Sequence, residues 1–319
     1  MNVWKLRLSM VGTLAVIIGL STLIFGVILF LFSTFDLVTL GVIVVAFNIG
    51  QWLISPYIID ALYHTRELPQ NENPSLHQVV EELSRKSGIK TPRLMLAQIP
   101  IPNAFAYGSP IAGNRVAVTD GMLKTLNPGE VEAVIGHELG HLRHRDVQVM
   151  MFVSLLPALF SYIAFSFMFS GAYGKQKNQG SNGALIGIAF MAFSWILNMF
   201  ILYLSRLREY YADRHSATIV DGGSQKLSTG LAKIVQATKN MGRFKKEKKN
   251  QNALRALFIT DPNCAEADSA AISMMSTSSD QKLVQEILSK KLTTADRIME
   301  IFSTHPNIVK RLKTLQELA

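Results

Sequence analysis

The sequence predicts a mostly helical α+β chain of the multi-pass membrane class, with four transmembrane helices and one soluble domain divided by the second helical pair. Three observations predict it. Four long stretches are apolar and free of charge, basic residues gather on one side of those stretches, and the remaining chain carries capped-helix and short-strand signals.

Residues 8–32 carry no charge over 25 positions, 37–59 none over 23 and 184–204 none over 21, while 147–173 is apolar with Pro157 inside it. About 20 apolar residues cross the hydrocarbon core, so each run qualifies as a span. Buried core helices are the alternative, and four unpunctuated runs of this length disfavour it. The first run follows Lys5 and Arg7, as a secretory signal would. A signal has an apolar region of about 7–15 residues and a small-residue cleavage site. This run is longer and ends in Phe30, Leu31 and Phe32, which reads as an uncleaved anchor. Gly12, Gly19 and Gly26 recur every seven residues along it, a stripe suited to close helix packing or simply facing lipid.

Orientation follows the basic residues near the helix ends. Lys5 and Arg7 precede the first run, His64 and Arg66 follow the second, Arg143 and Arg145 precede the third, and Arg206, Arg208 and Arg214 follow the fourth. All predict a cytoplasmic location for both termini and for the soluble segments. Lys175 and Lys177, between the third and fourth runs, dissent. The excess of 32 basic over 23 acidic residues is thereby explained without nucleic acid. The basic stretch 242–252 has only Phe244 as an aromatic and reads as a solvated loop near anionic lipid. Cys264 is the single cysteine, so no internal disulfide forms.

The expected organisation is a transmembrane hairpin over 1–59, half of a soluble domain over 60–146, a second hairpin over 147–204 and the other half over 205–319. The first half opens with a helix near 75–88, where Ser75 can cap and Gly88 can stop it. Strand signals follow at 93–97, 103–107 and 115–119, the last two flanking a turn-rich link that reads as a hairpin. Asn127, Pro128 and Glu130 then start a helix by cap, first-turn proline and capping box. The second half reads as helical, interrupted by a polar stretch at 261–281. No internal repeat is visible.

The helix begun at Asn127 contains "AVIGHELGHLRHRD" (133–146). On a helix, residues four apart share a face, so His137 and His141 can present two imidazoles to one ion, with Glu138 beside them. This is the zinc-hydrolase arrangement, in which the glutamate takes a proton from water. Two surface histidines would be the bland reading. A catalytic zinc needs a third protein ligand. The solution with Gly and His at fixed offsets is excluded, because His144 and Val147 stand there. His144 itself reads as a surface residue or as one that supports a ligand from behind. A downstream glutamate on a second helix is the other solution, and "REYYAD" (208–213) offers Glu209. Asp213, four residues on, shares its face and can hydrogen-bond the far nitrogen of a ligand histidine, fixing its tautomer. The alternative for Glu209 is an exposed carboxylate paired with Arg206 or Arg208. The third and fourth spans, as a hairpin, would bring the two halves of the site together.

In order along the chain, "NAFAYG" (103–108), "HELGH", "EYYAD" and "STHP" (303–306) around four spans resemble the HtpX-type membrane zinc metalloproteases, relatives of the prenyl-protein (CAAX) endopeptidases. The resemblance covers nearly the whole chain. It implies a zincin-like cytoplasmic protease domain, one zinc ion per chain held by His137, His141 and Glu209, and Glu138 as general base. It implies proteolysis on the cytoplasmic side of a bacterial plasma membrane, in quality control of damaged membrane proteins. Arg145 stands where the prenyl-protease branch would have a further histidine, which favours the HtpX branch. The family motifs also offer Asn103 and His305 as oxyanion donors. Locally, Asn103 reads equally as a turn residue and "STHP" as a helix start. Protein substrates and the lipid bilayer are the expected partners, with nucleic acid excluded. A processing protease for one lipidated or peptide substrate, and a non-catalytic scaffold with a structural metal, remain alternatives.

Overall fold

The computed structural model describes residues 37–173, 180–244 and 280–319. The first predicted span with its glycine stripe, Lys175 and Lys177, positions 245–252 of the basic stretch and 261–279 of the polar stretch lie outside the described residues. These residues divide into two compact units, one of 37–52 with 148–173 and 180–202, and one of 53–147 with 203–244 and 280–319.

Three of the described helices are long and apolar enough to cross a membrane. They are α1 (Leu37–Tyr63), α5 (Asp146–Tyr173) and α6 (Gly180–Ile219). They contain the second, third and fourth predicted runs. In the first unit α5 and α6 lie side by side. Gly187 makes this possible, since a Cβ there would sit 2.7 Å from the Ala164 carbonyl oxygen. Ser194 of α6 donates to the Pro157 carbonyl of α5 at 2.7 Å and lies 2.7 Å from Ser161 Oγ. Polar side chains with no water to turn to thus satisfy one another across the helix pair.

The second unit is α+β. Its four-stranded sheet comprises β1 (Thr65–Glu67), β2 (Arg93–Ala97), β3 (Ala104–Ser109) and β4 (Gly113–Thr119), in the order β1-β2-β4-β3. Strands β2 and β4 are parallel, while β3 closes an antiparallel hairpin with β4, as the turn-rich link between them predicts. Strand β1, three residues long, was too short to carry a periodic signal. Helix α2 (Pro74–Ser87) is capped by Asn73, not by Ser75: the Asn73 side chain accepts from the Leu76 N–H. Pro74 lacks an N–H and suits the first helical position, which moves the cap one residue before it. Gly88 ends this helix at φ 65°, a left-handed conformation that glycine adopts at little cost. Helices α3 (Asp120–Thr125), α4 (Pro128–Arg143), α7 (Gly223–Phe244), α8 (Asp280–Leu288), α9 (Thr294–Ile301) and α10 (Ile308–Glu317) complete the unit.

Alternation along the strands assigns the two sheet faces. Leu94, Leu96, Ala104, Val116 and Val118 join the main core with α2, α4, α7 and α10. Met95, Phe105, Tyr107 and Ala117 form a second cluster with Ile59 and Tyr63 of α1. Asp60, beside them, accepts from Thr65 (2.5 Å) and Tyr107 (2.6 Å) and pairs with buried Arg115.

Helix α4 begins with the capping box read from the sequence: Asn127 and Glu130 exchange both bonds at 2.9 Å. Its two motif glycines face α6. A Cβ on Gly140 would lie 3.0 Å from the Cα of Ala212, and one on Gly136 would lie 3.1 Å from Ser216 Oγ. Ser216 meanwhile donates to the Ala133 carbonyl at 2.6 Å. Small residues four apart on both helices let the backbones approach closely. Gly140→Val should therefore force α4 and α6 apart and cost about 1–3 kcal/mol, the usual range for overpacking. Gly50→Ala, which has open space around it, should cost no stability, since alanine favours a helix over glycine. Thermal unfolding of the two variants in the same detergent checks the contrast.

Candidate metal centre

Three side chains converge where α4 meets α6. His137 Nε2 and His141 Nε2 stand 3.2 Å apart. Glu209 places Oε2 3.6 Å from the first nitrogen and Oε1 3.6 Å from the second. A tetrahedral ion with bonds of about 2.0–2.1 Å separates its ligand atoms by about 3.3 Å. The three observed separations bracket that value. His137 and Glu209 are buried and His141 is partly so.

The outer nitrogens explain why these imidazoles point inward. His141 Nδ1 lies 2.6 Å from Asp146 Oδ2, and His137 Nδ1 lies 2.9 Å from Asp213 Oδ1. Ionised carboxylates only accept, so a neutral imidazole at either position carries its proton on Nδ1 and keeps the Nε2 lone pair. Two lone pairs facing each other at 3.2 Å repel unless a proton or a cation lies between them. Glu209 Oε2 is in addition buried with no well-aligned hydrogen bond, its nearest cation being Arg311 Nη1 at 3.2 Å. Two neutral imidazoles and one carboxylate form a donor set suited to zinc, so the residues present fit the ion. Burial opposes charge on His137, but Asp213 and Glu209 outweigh it and raise its pKa to about 9. A proton bound there occupies the position that a cation would take.

Asp213 meets His137 as its spacing predicts. Asp146 was missed, and its placement is a backbone effect. Helix α4 ends at Arg143, and Arg145 adopts φ 55°, turning the chain so that Asp146 folds back beside His141. A break of this kind leaves no periodic signature. Arg311 was also missed. It comes from α10, 98 residues beyond Asp213, and is fully buried. It holds Asp213 through two nitrogens at 2.6 and 2.9 Å and lies 3.2 Å from Glu209. The two carboxylates raise its pKa further against the opposing effect of burial. Glu209 is not an exposed partner of its neighbouring arginines: Arg208 pairs with Asp146, and Arg206 donates to carbonyls at the end of α9.

Glu138 is buried, and its Oε2 accepts the Ala106 N–H of β3 at 2.8 Å. His305, in the turn between α9 and α10, brings Nδ1 to 3.3 Å from Glu209 Oε1. Asn103 is buried at the foot of β3, with its backbone bonded to Thr119. His144 is exposed, its ring 5.9 Å from that of His215.

Residues 70–319 match the family described as peptidase family M48. A protein named Protease HtpX homolog from Thermoplasma acidophilum is 41% identical over 282 residues, covering 86% of this chain and 84% of that one. Another of that name, from Aeropyrum pernix, is 37% identical over 317 residues, covering 98% and 96%. Both sources are archaea, so these relatives lend no support to a bacterial membrane. Among solved structures, S. mikatae Ste24p shares the fold with a TM-score of 0.58 at 17% identity. The match covers 98% of this chain and spans 66% of the length of that one.

Metal must displace the His137 proton, since an imidazole binds through its neutral form. Below the folded-state value of about 9, metal affinity should fall roughly tenfold for each unit of acidification. Competition with a calibrated chelator from pH 7 to pH 9 measures this, and a flat profile would contradict it. Asp146→Asn and Asp213→Asn should each weaken metal binding about 10–100-fold, the range for partners that orient a ligand. Glu209→Ala should weaken it more than either, as measured by metal content after dialysis.

Proposed function

The chain belongs to peptidase family M48, as a membrane metalloprotease of the HtpX type, and from that premise we propose a zinc-dependent endopeptidase that cuts membrane proteins or their cytoplasmic segments. The observation that carries the zinc reading is the cluster itself: two Nε2 atoms and one carboxylate at tetrahedral separations, with outer nitrogens facing carboxylates. A structural site would have no need of Glu138 on the same helix, buried and turned toward β3.

His137, His141 and Glu209 would hold the ion, which when bound supplies a Lewis acid for the scissile carbonyl and lowers the pKa of the attacking water. Glu138 accepts the proton released by that water and later passes it to the leaving amine. The Ala106 N–H holds one oxygen of Glu138 and so orients the other for this transfer. Ala106 lies on β3, the edge strand nearest α4. Thr119 N–H donates to the Asn103 carbonyl, which turns Asn103, Phe105 and Tyr107 toward β4 and leaves the backbone of Ala104 and the carbonyl of Ala106 facing off the edge, the Ala106 N–H being held by Glu138. An extended substrate adding to this edge would be held by its backbone, whatever its side chains. That suits a protease with many damaged substrates. His305 is favoured over Asn103 as a donor to the substrate oxyanion, because it stands against Glu209. Its Nδ1 faces that carboxylate, leaving Nε2 for substrate.

The basic flanks Arg66, Arg143, Arg206 and Arg208 support a cytoplasmic site. Quality control of misfolded membrane proteins is the role that backbone-led recognition near a bilayer suits best. Comparing proteomes of cells with and without the protein tests its breadth: many stabilised membrane proteins support quality control, and one supports specific processing.

Purified protein should cleave an unfolded substrate with zinc and fail to do so with chelator. Glu138→Gln should keep its zinc and lose at least about a thousandfold in kcat/KM. His305→Ala should lose about 100–1000-fold, the cost of one oxyanion donor, with zinc retained. Appreciable turnover by Glu138→Gln would remove Glu138 from the role of base.

A further inference from the structure

Helix α9 exposes an apolar face that no other element covers among the described residues. Ile298 is 44% and Ile301 49% exposed, and Ala295 is exposed on the same side at helical spacing. The opposite side is committed. Asp296 closes a capping box with Thr293, and Glu300 accepts the Asn307 N–H and pairs with Lys310 of α10. The orientation of α9 is therefore set, and the isoleucines point away from the unit.

What meets them follows from where α9 ends. Arg206 Nη1 donates to the carbonyls of Glu300, Ile301 and Ser303, at 2.9, 3.0 and 2.8 Å. Arg206 stands two residues beyond the apolar run 184–204, on the same helix. The end of α9 is thus held at the level where α6 leaves its apolar stretch. Tyr203, 55% exposed, lies one turn earlier with Arg206 5.8 Å from its ring centre. Aromatic and arginine side chains at this level are characteristic of a membrane–water interface. Arg297, exposed beside Ile298, adds a cation suited to anionic headgroups. A second protein is a poorer occupant: an eight-residue helix is about 12 Å long and offers far less than the roughly 800 Å² per partner of a stable interface.

We infer that α9 is an interfacial helix whose Ile298 and Ile301 rest in the headgroup and upper acyl region of the bilayer that α6 crosses. This rests on reading the 184–204 run as a span. The turn that follows α9 carries His305, so lipid contact and the placement of His305 against Glu209 share one short segment. The bilayer then helps to position part of the site.

The test uses the full chain with Glu138→Gln, to prevent self-cleavage, and Cys264→Ser, to remove the native thiol. A polarity-sensitive fluorophore is attached at Ile298→Cys, Ile301→Cys, Phe200→Cys in the apolar run, and Lys313→Cys on the exposed side of α10. Each protein is placed in nanodiscs of phosphatidylcholine and phosphatidylglycerol, with and without brominated acyl chains. Labels at 298, 301 and 200 should lose at least about half their fluorescence to brominated lipid, and the label at 313 none. Quenching at 200 but not at 298 and 301 would overturn the proposal and leave the span intact. A dry environment at 298 and 301 without bromine quenching would also overturn it, pointing to a second copy or another segment of this chain. Absence of quenching at 200 would overturn both the span and the proposal.

Discussion

The close approach of α4 and α6 at Gly136 and Gly140 is the constraint on which the rest of the second unit depends. The two glycines place the backbone of α4 against Ala212 and Ser216 with no intervening side chain. At that separation the histidines on α4 and Glu209 on α6 reach a common point. A Cβ at either glycine would widen the gap by some tenths of an ångström, and three candidate ligand atoms 3.2–3.6 Å apart tolerate little of that. The packing is thus part of the chemistry, although neither glycine touches the metal position.

Charge is the second constraint. Glu138, Glu209, Asp146 and Asp213 bring four carboxylates into or beside the cluster, and Arg208 and Arg311 bring two guanidiniums. With both histidines neutral the formal excess is two negative charges, which a divalent cation would balance. Buried carboxylates are costly unless paired, and each here faces a cation, an imidazole or a backbone N–H. Arg311 is central to this balance. It touches both Glu209 and Asp213, so it restrains one carboxylate that points at the metal position and another that orients His137.

The sheet serves the site through one strand. Strand β3 lies at the edge, holds Glu138 through Ala106 and carries Phe105 and Tyr107 on its other face against Ile59 and Tyr63. Asp60 ties Tyr107 and Arg115 from the end of α1. A residue at the end of an apolar helix therefore holds the strand proposed to receive substrate.

Local chemistry made much of this legible in the sequence. Helix α4 was readable because Asn127, Pro128 and Glu130 act within one turn, and His137, Glu138 and His141 because spacing alone sets a helical face. The β3–β4 hairpin was readable from its turn residues, and three apolar runs from length and absence of charge. Glu209 and Asp213 were readable as a pair sharing a face. What the sequence could not determine was decided by contacts between residues far apart or by single backbone torsions. Asp146 reaches His141 only because Arg145 adopts a positive φ. Arg311 reaches Asp213 across 98 residues of chain. The edge position of β3 depends on strand order, and the exposure of Ile298 and Ile301 depends on what packs behind them. Hydrophobic period and capping are short-range signals, whereas pairing of buried charge and the burial of one face against another exist only once the chain has folded.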